Sequence, residues 1–277
     1  MSHHAGVVPA ECVNCGYALG PSSNFCEACG QKSYVHRLTL HDVGHDAFHY
    51  FVHVDRGFFQ LLRALATQTG TVAREYVVGK RKKYFPPLNF FLIAAAVYVF
   101  AQGLYTHHPA AAGREEWRKT VQRIPNPAAR RYVSRIYERR DFITRVTSTY
   151  SNIIYMFATP FLTLIIWLLY SRDRYNYTEH LIASLYITGF CALFYALVIA
   201  PLSLVPGIGK YKLDLLIYFL FEICYRAVFY NRFINKQVTW AVWKNWLVAV
   251  FIVVFWAVFS YGVFYLYIRN GFFGLFH

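Results

Sequence analysis

The chain is poor in charged residues, and acidic residues are the scarcest of them. Only 15% of its 277 residues are charged, and 14 Asp and Glu stand against 28 Lys and Arg, which gives a formal net charge of +14. Hydrophobic residues make up 57% of the chain and aromatic residues 19%. Soluble domains rarely combine so few charges with so many aromatic side chains. The composition therefore argues against an ordinary soluble domain and predicts an integral membrane protein.

Several signals that mark enzymes or secreted proteins are also missing. The sequence has no phosphate-binding glycine loop, no Gly-x-Ser-x-Gly elbow and no Ser/His/Asp set, so we expect a protein that is not an enzyme. The first residues, Met1 to Gly6, lack the basic-then-apolar pattern of a cleaved signal peptide. Membrane insertion would then begin at an internal helix, which leaves the N-terminal segment in the cytoplasm.

Four cysteines near the N-terminus form two C-x-x-C-G knuckles and are the candidate metal ligands: Cys12, Cys15, Cys26 and Cys29. A two-residue gap lets both thiolates of a knuckle face one ion, and the following glycine, Gly16 or Gly30, lets the backbone turn tightly beneath it. Four thiolates match the tetrahedral preference of Zn²⁺. Because this segment has too few apolar residues for a core, a metal would contribute on the order of 10 kcal/mol to its folding. We predict a structural zinc ribbon over residues 12–32, with disulfides or a redox pair as the alternatives.

Residues 38–83 are predicted to form an amphipathic, His-rich helical region. Apolar residues recur at spacings of three and four from Leu38 to Ala66, which indicates a helix that lies on the membrane or packs against the bundle. Its polar face carries four histidines at intervals of four, which form a possible second metal site: His41, His45, His49 and His53. Asp42, Asp46 or Asp55 could complete such a site or orient the imidazole rings.

Three readings of this histidine stripe remain open from the sequence. The first is a solvated or headgroup-contacting face, and the second is a non-catalytic metal or proton-sensing role. The third is a membrane-embedded metalloenzyme, because His45-Asp-Ala-Phe-His49 resembles the H-E-x-x-H of zinc peptidases, with Asp in place of Glu. Adjacent histidines share a helix face, but the three steps from His41 to His53 drift by roughly 120° in total, too far for all four to bind one ion.

The remainder of the chain, residues 84–277, is predicted to be a transmembrane helical domain with about five spans. The predicted spans are residues 88–105, 153–170, 180–204, 212–230 and 246–268. The cations Lys80 to Lys83 precede the first span and favour a cytoplasmic N-terminus. A basic loop, residues 106–152, contains a sequence typical of an amphipathic helix that lies along headgroups. The alternative is a first apolar segment that re-enters on the same side, which would put this loop in the cytoplasm.

Ionisable residues inside the predicted spans suggest a different function. Glu222 and Arg226 lie one turn apart in the fourth predicted span, with Asp214 near its start. Such residues either pair with each other or line a polar pathway, so a transporter or channel that uses Glu222 and Arg226 is an alternative function. The remaining cysteines, Cys191 and Cys224, are expected to be small buried hydrophobic residues.

The excess of positive charge on the chain is better explained by contact with lipid than by contact with nucleic acid. The cations flank hydrophobic segments, where anionic headgroups would attract them. We therefore expect an anionic bilayer as a partner, no nucleic acid, and a protein partner bound through the zinc ribbon.

An ordered series of motifs resembles a bacterial membrane family catalogued as a domain of unknown function. The matching blocks are Phe25 to Lys32, Arg37-Leu-Thr-Leu, His45 to Gly57 and Arg74 to Phe90, and the resemblance covers residues 12–100 closely. It implies a multispanning inner-membrane protein with a zinc ribbon, and it implies no reaction.

Together these observations predict a membrane all-α fold. A flexible N-terminus (residues 1–11) would precede the zinc ribbon, the amphipathic region and the transmembrane domain. The expected function is a non-enzymatic interaction, scaffold or sensing role at the bacterial inner membrane.

Overall fold

The computed structural model describes residues 9–21, 23–49, 57–106, 117–205, 213–235 and 238–270. Within these residues the chain is helical and has no strand, apart from two isolated β-bridges near the N-terminus. The helices are α1 Leu40–His49, α2 Gly57–Thr67, α3 Gly70–Val78, α4 Pro87–Thr106, α5 Pro127–Thr149, α6 Ser151–Leu169, α7 Tyr177–Phe194, α8 Leu213–Ile234 and α9 Thr239–Asn270. A π-helical turn, Tyr195–Ile199, and a last turn, Ala200–Leu202, continue α7.

Three helical segments are long and apolar enough to cross a membrane, which supports the prediction of a membrane protein. They are Pro87–Leu104 in α4, Tyr177–Leu202 in α7 and its continuation, and Thr239–Arg269 in α9. The apolar part of α6, Met156–Leu169, is shorter. The fourth predicted span corresponds to α8, a helix of 22 residues that also contains Asp214, Glu222, Arg226 and Arg232.

The chain divides into two compact units, which are described separately. Unit 1 contains Met1–Ala94, Thr159–Cys191 and Cys224–Val248, and unit 2 contains Ala95–Ala158, Ala192–Ile223 and Ala249–His277. The candidate metal centre belongs to unit 1, and the basic helix α5 belongs to unit 2.

The amphipathic region packs its apolar face inward in unit 1. Helix α2 buries Phe58, Leu61 and Leu65, three of the positions that define the apolar stripe in the sequence. Helix α3 approaches the backbone of α8 so closely that a Cβ on Gly70 would lie 1.9 Å from the carbonyl oxygen of Phe229. The region therefore packs as helices against the body of unit 1, although residues 50–56 of the predicted continuous helix lie outside the described residues.

Aromatic side chains form a large part of the core of unit 1. The rings of Tyr170 and Tyr230 stack with centroids 5.4 Å apart, and the fully buried His180 stacks on both. Tyr175 stacks on Phe233 with a centroid distance of 4.4 Å. In the candidate span of α7 and its continuation 72% of the residues are buried, against 17% in that of α9. Helix α7 is thus interior, whereas α9 exposes apolar side chains as a lipid-facing helix does.

Two details of the fold correct or extend the predictions. Cys191 is buried as expected, but Cys224 is exposed on α8, so the prediction that it is buried is wrong. The basic loop contains the 23-residue helix α5, which begins after Asn126 because the Asn126 side chain accepts hydrogen bonds from the N–H groups of Ala128 and Ala129.

Candidate metal centre

The two cysteine knuckles have the same backbone geometry. In the first, the Gly16 N–H donates to the Cys12 carbonyl at 2.8 Å and the Cys12 N–H donates to the Tyr17 carbonyl at 2.8 Å. In the second, the Gly30 N–H donates to the Cys26 carbonyl and the Cys26 N–H to the Gln31 carbonyl, both at 2.8 Å.

Each knuckle also turns on a glycine with a positive φ. The φ angle is 76° at Gly16 and 67° at Gly30, in the left-handed region that glycine adopts without strain. The C-x-x-C-G spacing thus builds the same tight turn twice, and each turn presents its two sulfurs to one point.

The four sulfurs converge on a space that fits one metal ion. All four Sγ atoms lie within 4.8 Å of one another, with 3.7 Å between Cys12 and Cys29 and 3.6 Å between Cys15 and Cys26. Four sulfurs held about 2.3 Å from one Zn²⁺ in tetrahedral geometry would stand about 3.8 Å apart. The cysteines are free thiols in the structure rather than disulfide-bonded. The donor set could therefore hold a metal ion, and its spacing fits zinc.

The thiols influence one another's protonation. Burial opposes ionisation of Cys29, but hydrogen bonds from the Gln31 backbone and the Asn14 side chain outweigh it and lower the pKa of Cys29 to about 7. A backbone hydrogen bond from Tyr17 favours the Cys15 thiolate, yet lost hydration and the neighbouring sulfurs prevail and raise the pKa of Cys15 to about 12. The Cys29 thiolate thus forms readily, and ionisation of a second cysteine beside it is disfavoured. A bound cation would stabilise all of the thiolates and so remove this penalty.

The segment after the fourth cysteine, residues 31–38, is joined to the helical body of unit 1. The Arg37 guanidinium makes a bidentate ion pair with Glu179, at 2.8 Å from Nε to Oε1 and 2.9 Å from Nη2 to Oε2, and also donates to the Arg174 carbonyl at 2.7 Å. The pair with Glu179 raises the pKa of Arg37. We call residues 31–38 the strap, because they connect the cysteine segment to the N-terminal end of α7.

The strap also contacts the four cations that precede α4, Lys80 to Lys83, which we call the basic stretch. The buried Gln31 side chain accepts a hydrogen bond from the Lys82 N–H at 3.1 Å, and Arg81 donates to the His36 carbonyl at 2.7 Å. Glu75 of α3 accepts hydrogen bonds from Lys80 and Lys83 of this stretch at 2.9 and 2.7 Å. The strap, the basic stretch and the start of α7 thus form one connected polar region.

Unlike the four cysteines, most of the predicted histidine site lies outside the described residues. Helix α1 includes His41, but the side chains of His45 and His49 and all of His53 lie outside the described residues. Asp42 is engaged at the start of α1, where its Oδ2 accepts from the Thr39 N–H at 2.8 Å and from the Thr39 hydroxyl at 2.7 Å. Among the described side chains, only the four cysteines form a group of His, Cys, Asp or Glu close enough to hold a metal.

The same carboxylate has a partner in the strap. A hydrogen bond of 3.0 Å joins His36 Nε2 to Asp42 Oδ2. Burial opposes the ionised form, but the hydrogen bonds from Thr39 and His36 outweigh it and lower the pKa of Asp42. Asp42 therefore acts as a helix cap, and the second metal site remains a prediction from the sequence.

The residues of the transporter alternative lie in α8. Arg226 is buried, whereas Glu222 is half-buried. A transporter or channel that uses these two residues remains a prediction from the sequence.

Sequence reasoning missed the residues that join the cysteine segment to the body. Arg37 and Glu179 are 142 positions apart, so no local pattern connects them. The available signal was that Glu179 is an isolated acid at the edge of an apolar segment, where an unpaired carboxylate would be costly. Gln31 gave no comparable signal.

These features define a helical protein with membrane-length apolar helices and a four-cysteine cluster that could hold a metal. A family model described as a protein of unknown function (DUF3667) matches residues 55–99. The match covers α2, α3, the basic stretch and most of α4, and it leaves the cysteine segment outside. Comparisons with curated proteins and with solved structures gave no match.

Proposed function

We propose that this is a multispanning bacterial inner-membrane protein in which a cytoplasmic zinc ribbon acts as a non-enzymatic scaffold or sensor for a protein partner. The observation that carries the proposal is the bidentate pair between Arg37 and Glu179. It fastens the end of a metal-dependent segment to the start of α7, the most buried of the three candidate spans.

Metal binding would decide whether this connection forms. The segment 9–33 buries few side chains, among them Cys12 and Cys26, so its fold depends on the ligands rather than on a core. Without an ion, residues 31–38 would lose the rigid turn that precedes them. The strap would then release Glu179, whose side chain is only 6% exposed and costly to leave unpaired. Zinc occupancy would thus be transmitted to α7.

The contacts of the strap support a cytoplasmic ribbon. Gln31 and His36 contact Lys82 and Arg81, which belong to the cluster of cations immediately before α4. Such clusters flank membrane helices on the cytoplasmic side, where thiolate ligands also stay reduced. With α4, α6, α7, α8 and α9 as five spans, the chain would end on the opposite side.

The exposed aromatic residues of the ribbon support a protein partner. Tyr17 is 48% exposed and Phe25 56%, although each is adjacent to a metal-binding knuckle. A metal-held turn would present these rings in a fixed geometry, which lowers the entropy cost of binding.

The proposal is tested on the full-length protein in detergent. We expect about one zinc per chain by elemental analysis, and hydrogen–deuterium exchange should show that chelation deprotects both residues 31–38 and residues 174–180. Arg37→Ala should keep its zinc and lose protection only at residues 174–180, whereas the matched control Arg63→Ala should change neither. The proposal would be overturned if the purified protein contained no zinc, or if chelation left the amide protection of residues 174–180 unchanged.

The partner and the orientation need tests in cells. A photo-crosslinking residue at Tyr17 or Phe25 should give a discrete protein adduct that disappears when Cys26 is replaced by Ser. The same probe at the exposed Phe59 of α2 is the control. An N-terminal tag should be digested by protease in inverted vesicles and protected in intact spheroplasts, and the opposite pattern would exclude a cytoplasmic ribbon.

A further inference from the structure

A polar groove of about 440 Å³ lies in unit 2 beside the basic helix α5. One wall is a helical stretch at residues 117–122, where the Trp117 ring stacks on Tyr137 with centroids 5.3 Å apart and an interplanar angle of 3°. The other wall is a stripe of α5 that includes Ser134, Glu138, Asp141 and Arg145. Steps of three and four residues keep this stripe on one helix face. The volume lies within the roughly 300–1,000 Å³ of small-molecule sites.

The charges of this region are distributed unevenly with respect to the groove. Residues 117–150 contain nine Lys and Arg but only two acids, Glu138 and Asp141, and both acids line the groove. Of the nine cations, only Arg118 and Arg145 line it. The groove thus places two carboxylates beside two guanidinium groups within a segment that is otherwise strongly basic.

The polar groups of the groove are held in place by short-range contacts. Glu138 Oε1 accepts a hydrogen bond from the Ser134 hydroxyl at 2.9 Å, and Arg145 Nη2 lies 3.4 Å from Asp141 Oδ2. The Arg118 guanidinium lies 5.7 Å from the centroid of the Trp117 ring. A site with both signs of charge complements a dipolar ligand better than a simple anion or cation.

The neighbouring face of α5 packs at the end of a candidate membrane span. Arg139, next to Glu138, donates to the Arg269 carbonyl at 3.4 Å, and the Phe142 ring lies 5.9 Å from that of Tyr267. Tyr267 and Arg269 are the last turn of the segment Thr239–Arg269. The groove therefore lies where a membrane helix reaches the headgroup layer.

We propose that this groove binds a phosphoethanolamine group. The primary ammonium would donate hydrogen bonds to Glu138 and Asp141, and the phosphate would accept from Arg118 and Arg145. Trp117 would cover the ethylene carbons. The group would come either from an aminophospholipid of the surrounding bilayer or from a soluble compound with the same headgroup. This site is independent of the zinc ribbon.

The test uses native mass spectrometry of the delipidated full-length protein with three lipids that share the same acyl chains. Phosphatidylethanolamine should bind in preference to phosphatidylcholine, which lacks N–H donors, and to phosphatidylglycerol, which lacks the ammonium. Glu138→Gln with Asp141→Asn should weaken phosphatidylethanolamine binding about tenfold and abolish the preference, as the loss of a charge-assisted hydrogen bond predicts. Glu138 is exposed and Asp141 is half-buried, so thermal unfolding of the double variant is measured alongside and a midpoint close to that of the wild type is expected.

Matched controls separate the groove from the general charge of α5. Arg131→Gln and Arg140→Gln remove exposed cations of the same helix outside the groove and should leave phosphatidylethanolamine binding unchanged. Arg118→Gln with Arg145→Gln should weaken phosphatidylethanolamine and phosphatidylcholine alike. Equal binding of the ethanolamine and choline lipids, a preference for phosphatidylglycerol, or insensitivity to Glu138→Gln with Asp141→Asn would overturn the proposal.

Competition identifies the source of the group. Displacement of the lipid by soluble glycerophosphoethanolamine would show that the headgroup suffices and that a soluble ligand can occupy the groove. Failure to displace it, with lipid binding still dependent on Glu138 and Asp141, would assign the groove to a bilayer lipid. Neither result would change in Cys26→Ser, so failure here and failure of the proposed ribbon function are distinguishable.

Discussion

The cysteine segment and the helical body it joins belong to the same unit, but different interactions hold them. The segment 9–33 exposes Tyr17 and Phe25, and its buried side chains include Cys12 and Cys26. The body buries large aromatic residues completely, including Tyr186, Phe90 and Phe229. The segment thus has little apolar area to hold it, and in the proposed zinc ribbon the metal ligands would supply that stabilisation, whereas the body relies on close packing. Substitutions that destabilise one of these regions and leave the other unchanged would test this difference.

The largest effect is expected from Cys26→Ser. Loss of one of four ligands should remove most of the metal-dependent folding free energy of the segment, on the order of 10 kcal/mol. Zinc content should fall to near zero and amide protection of residues 9–33 should disappear, while protection of α7 and α8 outside the contacts of the strap persists. Elemental analysis and hydrogen–deuterium exchange measure both.

Cys224→Ser is the matched control for that experiment. Cys224 is an exposed cysteine on α8, away from the cluster, so its replacement should leave both zinc and protection unchanged. Full zinc content in Cys26→Ser would contradict the four-ligand site.

The opposite perturbation is Gly70→Ala, which should damage the body and spare the metal centre. Its Cβ would lie 1.9 Å from the Phe229 carbonyl oxygen and 2.8 Å from the Phe233 N, both backbone atoms that cannot rotate away. We expect a loss of about 3 kcal/mol and a lower thermal midpoint in detergent, with zinc content unchanged.

Gly103→Ala provides the control for this substitution. A Cβ at Gly103 would meet nothing within 4 Å, so the substitution should be neutral or slightly stabilising, since Gly costs up to about 1 kcal/mol relative to Ala within a helix. Equal destabilisation by Gly70→Ala and Gly103→Ala would show that the close approach of α3 to α8 is not limiting.

Local patterns in the sequence predicted the features that depend on local geometry. The C-x-x-C-G spacing specified both knuckles, because the turn needs only its own residues and a glycine of positive φ. The three-four periodicity placed Phe58, Leu61 and Leu65 on the buried face of α2. The predicted first span begins at residue 88, one residue after the observed start of α4 at Pro87, where a missing N–H has little cost.

Features that depend on distant residues could not be predicted in this way. The pair Arg37 and Glu179 requires knowledge of which helix end meets the strap. Asp42 looked like a metal ligand because the sequence does not reveal that Thr39 and His36 use its carboxylate. Cys224 was misplaced because an apolar run does not tell which face of a helix is covered.

A smaller effect is expected inside the aromatic core. The Tyr170 hydroxyl donates to Asn245 Oδ1 at 2.5 Å, and Asn245 Nδ2 donates to Asn231 Oδ1 at 2.5 Å. Tyr170→Phe would leave the buried Asn245 oxygen without this donor while keeping the stacked ring, which should cost about 2 kcal/mol. Thermal unfolding in detergent measures the loss. Tyr261→Phe, at an exposed tyrosine of α9, is the control and should be neutral.

The smallest effect on stability is expected at Glu75 of α3. This residue holds Lys80 and Lys83, and the strap contacts the intervening Arg81 and Lys82. Burial opposes ionisation of this carboxyl, but hydrogen bonds from Lys83, Tyr84 and Lys80 outweigh it and lower the pKa of Glu75 from 4.5 to about 2. A lowered pKa in the folded state stabilises the protein fully above pH 4.5, and this contribution disappears as the pH falls towards 2. Because the two lysines are partly exposed to water, we expect about 1 kcal/mol at neutral pH.

This pH dependence is isolated by comparing the wild type with Glu75→Gln in thermal unfolding at pH 6, 4 and 2.5. Acid also protonates the thiolates, but it does so equally in both proteins, so only the difference between their midpoints reports on Glu75. That difference should be largest at pH 6 and narrow steadily below pH 4.5. Glu11→Gln, at an exposed carboxyl of the cysteine segment, is the control for loss of an acidic side chain and should melt like the wild type at pH 6. A gap that stays constant with pH would mean that Glu75 stabilises the stretch through packing rather than through its charge.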